Sequence, residues 1–144
     1  MKRILAFGLL IVLFVSMVGC RRQEKAKEDI FRLVNENYDR ILQACQEKDV
    51  ETLCAIEGIR EIAIEDGYVL VYCQGEGIAP SSKDYGFYYS EENRPIAVSY
   101  SLEIECGTKD LIPEGDSYQY YDAGLNGYYT EQIKGNLYFY SVAT

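Results

Sequence analysis

Hydrophobic and polar residues follow three different rhythms along this chain. Ile4 to Val18 is an apolar run broken only by Gly8 and Ser16. From Ala26 to Gln46 the apolar residues Ile30, Leu33, Val34, Tyr38, Ile41, Leu42 and Cys45 recur at three- and four-residue steps. That spacing places them on one face of an amphipathic helix. Glu24, Glu28 and Asp29 sit near its start, where they complement the helix dipole. Asp49 is positioned to cap a second short helix over Val50 to Glu57, with Gly58 as its stop.

From Glu61 onward the period is two. Glu61 to Glu65 and Tyr68 to Cys73 flank Asp66-Gly67, the pattern of a hairpin closed by a two-residue turn. This register sets Ile62 opposite Val71 and Ile64 opposite Val69, with Cys73 on the same face. Glu61, Glu65, Tyr68 and Tyr72 take the other, so a half-solvated sheet is expected. Gly75 to Ser82 reads as a loop and Tyr85 to Tyr89 as a strand, turning through Ser90 to Pro95. Ile96, Val98, Tyr100, Leu102, Ile104 and Cys106 alternate with small and acidic residues, predicting one long strand or two joined by a bulge. Gly107 to Ser117 reads as polar loop, Tyr118 to Tyr121 as a weak strand, and Asp122 to Gly127 as a turn. Tyr128 to Ile133 and Leu137 to Val142 form a second hairpin around Gly135-Asn136. The expected architecture is α+β: one or two N-terminal helices packed on an antiparallel β-meander of five to seven strands.

The first apolar run would span roughly 22 Å as a helix, short of a hydrocarbon core of about 30 Å. It follows Lys2-Arg3 and ends in Met17-Val18-Gly19-Cys20, which resembles the lipobox of bacterial lipoproteins, with Met17 where leucine is usual. The resemblance covers residues 1–20 alone. It implies a signal peptide over residues 1–19, diacylglycerol on the Cys20 thiol and cleavage just before it. It further implies a lipidated tether over residues 20–26, a single α+β domain over 27–144, and a place at the plasma membrane facing outside the cytoplasm. Arg21 is not the aspartate that marks inner-membrane retention in double-membraned hosts. An uncleaved anchor helix and an ordinary secretory signal are the alternatives; the latter prefers an A-x-A-like cut.

Charge and composition narrow what such a domain does. Without Lys2 and Arg3 the mature chain carries 12 basic and 23 acidic residues, a net charge of −11. That surface repels phosphate backbones, so no nucleic acid is expected as a partner. It repels anionic lipid too, which leaves attachment to the lipid on Cys20. There is no histidine and no tryptophan. The first absence removes Ser-His and Cys-His nucleophile pairs and the usual zinc and copper ligand sets; no cofactor or metal is expected.

Four further cysteines, Cys45, Cys54, Cys73 and Cys106, allow two bridges, with Cys73–Cys106 and Cys45–Cys54 the better pairs; buried free thiols are the alternative. Thirteen of the fourteen tyrosines lie at or beyond Tyr68. Tyr85, Tyr88, Tyr89, Tyr118, Tyr120 and Tyr121 are candidates for a binding platform, although strand propensity alone also explains them. Gly75-Glu76-Gly77 lacks the further residues of a phosphate-binding loop. Ser82-Lys83 gives no reason for a depressed lysine pKa, and the spacing of Asp110, Glu114 and Asp116 is not that of a calcium loop.

Three functional readings follow. The first is a non-catalytic binding or interaction module at the cell surface, its ligand a protein, peptide or cell-wall glycan. The second is a small envelope hydrolase using Glu61, Glu65, Glu103 and Glu105, which requires two carboxyls roughly 5–10 Å apart across a cleft. The third is an envelope immunity, inhibitor or structural lipoprotein.

Overall fold

The computed structural model describes residues 22–78, 81–98, 111–121 and 127–143. The expected single helix is two: α1 over residues 22–36 and α2 over Tyr38–Glu47. Asn37 separates them. Its side-chain amide donates to the Leu33 carbonyl at 3.0 Å, as does its own backbone N–H at 3.2 Å, the local competition that makes asparagine a poor helix-interior residue. The apolar stripe survives the break. Ala26, Ile30, Val34, Ile41, Ala44 and Cys45 are all buried. Lys48, with φ of 55°, ends α2 in the left-handed conformation. Asp49 caps α3 (Val50–Cys54), accepting the Thr52 N–H at 3.1 Å and the Thr52 hydroxyl at 2.6 Å. The helix ends at Cys54, before Gly58; a Cβ at Gly58 would meet Leu33 Cδ1 at 2.6 Å.

The described strands are β1 (Glu61–Glu65), β2 (Tyr68–Ile78), β3 (Ser81–Ser90), β4 (Ile112–Glu114), β5 (Ser117–Tyr121), β6 (Gly127–Lys134) and β7 (Leu137–Ala143). They form one antiparallel sheet in the order β1-β2-β3-β7-β6-β5-β4. The α+β class and its N-terminal helices stand. The first hairpin has the expected register, Ile62 opposite Val71 and Ile64 opposite Val69.

Three expectations are corrected. The segment read as a loop from Gly75 to Ser82 is largely strand, because β2 runs to Ile78 and β3 starts at Ser81, with a bulge between Tyr72 and Gln74 taking up the twist. Within the expected polar loop from Gly107 to Ser117, Ile112–Glu114 pairs with β5 across a turn that Gly115 permits with φ of 61°. The meander is also interrupted: β3 lies beside β7, so the chain leaves β3 near the middle of the sheet and returns from its far edge. Of the long strand expected from Ile96 to Cys106, residues 96–98 are irregular and 99–106 fall outside the described residues, as does most of the expected turn at 122–127.

That crossover changes the core. Val69, Val71, Cys73, Tyr85, Phe87, Tyr89, Leu137 and Phe139 pack beneath the helices. Leu70, Tyr88, Tyr128, Tyr138, Tyr140 and Val142 form a second cluster on the opposite face, with Ala97 and Val98 buried among them and Ile96 and Leu111 at its margin. Both ends of the crossover therefore pack on the face expected to meet solvent. The central strands are buried on both sides, and alternation of apolar residues with tyrosine marks two cores instead of one.

Candidate functional site

Three of the six expected platform tyrosines, Tyr85, Tyr88 and Tyr89, do not lie on an exposed surface. Tyr85 and Tyr89 lie under the helices, Tyr88 on the other face, and all three are buried. Tyr118 is half-buried opposite Thr130; Tyr120 and Tyr121 are on β5, and their side chains lie outside the described residues. The reason is register: neighbours along β3 point to opposite faces.

The second-face tyrosines instead hold the crossover. Ile96 N–H donates to the Tyr88 hydroxyl at 3.1 Å, and the Tyr128 hydroxyl donates to the Ile96 carbonyl at 2.8 Å. Thr130 Oγ1 gives its proton to the Phe139 carbonyl at 2.8 Å. The 2.8 Å contact between Tyr88 and Thr130 is therefore donated by Tyr88, since each hydroxyl has one proton to give. Both backbone groups of Ile96 are thus satisfied by side chains of the sheet. Tyr88 stacks on Tyr138 with ring centroids 5.2 Å apart, and the Tyr138 hydroxyl donates to Asn93 Oδ1 at 3.1 Å. Burial pushes the Tyr88 and Tyr128 phenols well above their ordinary range. They are fixed, neutral donors.

Sequence reading missed a second cluster, at the interface of α1 and the sheet. Lys27 pairs with Glu131, which also accepts from the Tyr129 hydroxyl; the Lys27 ammonium lies 3.3 Å from that hydroxyl. It also stands 5.4 Å from the Phe31 ring centre and 5.5 Å from that of Tyr129. Desolvation would lower the lysine pKa, but hydrogen bonds to Glu131 and Tyr129 outweigh it and raise the pKa. The amine stays protonated, which suits a structural tie and not a nucleophile. The two charges are 104 residues apart in sequence, so no local motif announces them. Beside them a 270 Å³ cleft is lined by Gln23, Lys83, Gln119, Tyr128, Tyr129 and Ser141, among others.

No family model, curated protein or solved structure matches this chain. Its chemistry is therefore read from geometry alone. Cys45, Cys54 and Cys73 are free thiols. The expected Cys45–Cys54 bridge is not made, because Cys45 points into the core and Cys54 to solvent. Cys73 is unpaired under the helices, while its expected partner Cys106 lies outside the described residues. Burial pushes the Cys45 and Cys73 thiols up to about 12, where a thiolate nucleophile is not available near neutral pH.

Glu61 and Glu65 are exposed on β1, at one edge of the sheet, and Glu103 and Glu105 lie outside the described residues. Among the described residues no group of three metal-ligating side chains forms. Glu114 and Asp116 are exposed on and beside β4, and Asp110 lies outside the described residues. Gly75 and Gly77 lie within β2, and Lys83 on β3 donates to Gln23 at 3.2 Å. At the opposite end of the sheet a 340 Å³ cleft is lined by Asp66, Tyr68, Glu91, Glu92 and Arg94, among others. No helix among the described residues is long and apolar enough to cross a membrane; Cys20 lies outside them.

Proposed function

We propose that this protein is a lipid-anchored, extracytoplasmic, non-catalytic interaction module, held at the plasma membrane through Cys20. One observation carries the reading. The apolar run ending in Met17-Val18-Gly19-Cys20 is followed, two residues on, by a helix whose Ala26 and Ile30 already sit in the core. In this reading the folded domain starts close behind the lipobox. A non-catalytic role is supported by how the reactive groups are spent: Lys27 and Glu131 neutralise each other, the thiols of Cys45 and Cys73 are buried, and Glu61 and Glu65 face solvent. The hydrolase alternative asks for two carboxyls converging in a cleft, which exposed edge glutamates do not supply.

Burial of Tyr85, Tyr88 and Tyr89 takes three of the six candidate rings out of any surface on which a sugar would stack. A protein or peptide ligand is favoured over a cell-wall glycan, as an immunity, inhibitor or scaffolding role would require. Crosslinking in intact envelopes, followed by purification through this chain, tests the reading. A discrete protein adduct, absent when Cys20→Ala disperses the protein from the membrane, is expected. Hydrolysis of an envelope substrate that Glu61→Gln or Glu65→Gln abolishes would contradict it.

A further inference from the structure

The geometry points to a fixed stance on the membrane: the end of the sheet at Gln23 and Lys83 faces the lipid headgroups, and the acidic turns face away. This rests on lipid attachment at Cys20. Two residues of chain span at most roughly 7 Å, so the anchored residue lies within that reach of residue 22 whatever its conformation. Residue 22 is already helical. The tether expected over residues 20–26 is therefore mostly part of the domain.

Helix α1 is tied along its length. Lys83 holds Gln23 at 3.2 Å at one end; Ala26 is buried and Lys27 is locked to Glu131 and Tyr129. Just past its other end, at the first residue of α2, the Lys134 ammonium lies 4.0 Å from the Tyr38 ring centre. Helix and sheet thus share one long direction, with the lipid at one pole. Seven strand steps separate Lys83 from Ser90 on β3, roughly 23 Å at about 3.3 Å per step. Asp66, Glu91 and Glu92 gather at that far pole, where Glu91 N–H donates to the Gly67 carbonyl at 2.9 Å. Near the lipid pole the exposed Arg22, Lys25 and Lys83 stand among Glu24, Glu28 and Glu76, the last opposite Lys83, so opposite charges are interspersed there. At a screening length of about 8 Å, the far carboxylates lie beyond the reach of anionic headgroups. The acidic turns of the far pole thereby add little repulsion toward the membrane.

The test uses full-length lipidated protein in phosphatidylcholine vesicles bearing a headgroup quencher, with Cys54 and Cys106 replaced by serine. Single dyes are placed at Lys83→Cys, at Gln119→Cys as a second position lining the same cleft, and at Glu92→Cys. Quenching several-fold stronger at 83 and 119 than at 92 is expected. A Gly/Ser insert of about 20 residues before Arg22, with an r.m.s. span of roughly 25 Å, should largely abolish the difference. Equal quenching at all positions, in protein whose mass confirms lipid on Cys20, overturns the stance and leaves the anchor intact. An unmodified Cys20 in the same sample overturns the anchor, and the stance with it.

Discussion

At the scale of single residues, tyrosine has two distinct uses in this sheet, and substitution separates them. The Tyr88 hydroxyl accepts from Ile96 and donates to Thr130. Tyr88→Phe leaves the Ile96 N–H and a buried threonine hydroxyl short of partners, at a cost of about 1–3 kcal/mol. The Tyr85 hydroxyl is buried with no hydrogen-bond partner among the described residues. Tyr85→Phe should then be neutral or stabilising, within about 0.5 kcal/mol of the parent. Urea titrations of the two variants compare them directly, read as midpoint shifts at constant slope. Equal loss of stability in both would show that the hydroxyl network does not hold the crossover.

At the scale of elements, the close approach of β2 and β3 depends on Gly86. A Cβ there would fall 2.0 Å from the Val71 carbonyl oxygen and 2.8 Å from Tyr140 Cε1. Gly86→Ala should cost about 3 kcal/mol or prevent folding, seen as a collapsed urea midpoint or loss of soluble protein; a parent-like midpoint would contradict the pairing. Elements set by local chemistry were legible in the sequence. The Asp66-Gly67 and Gly135-Asn136 hairpins, the stripe from Ile30 to Cys45 and the Asp49 cap all follow from neighbouring residues. What depends on distant partners was not. Alternation in Tyr68 to Cys73 cannot tell a solvated face from one covered by residues 96–98, since tyrosine suits both. The Lys27–Glu131 pair likewise exists only because α1 crosses β6, and the break at Asn37 lies inside an unbroken apolar period.

At the scale of the whole molecule, burial of protonated acids sets the pH behaviour. The Cys45 and Cys73 thiols rise from 9.0 to about 12 and the Tyr85 phenol from 10.0 to about 12, chiefly through desolvation. A raised folded pKa contributes stability in full below the unfolded value and loses it as pH climbs through the folded one. Lys27, also raised, acts in the same direction. The thermal midpoint should thus hold steady to about pH 9 and fall continuously toward about pH 12; in a Cys45→Ala, Cys73→Ala double variant the onset moves up by about one unit. A midpoint unchanged across that range would contradict the burial of these groups. In the proposed reading this acidic domain with two buried faces gains its place in the cell from a lipid on Cys20, so that anchor is what most needs measuring. Mass spectrometry of the N-terminal peptide from membrane-purified protein does so. The account predicts a chain starting at Cys20 with a diacylglycerol-modified sulfur; a free thiol at that residue, or an N-terminus elsewhere, would contradict it.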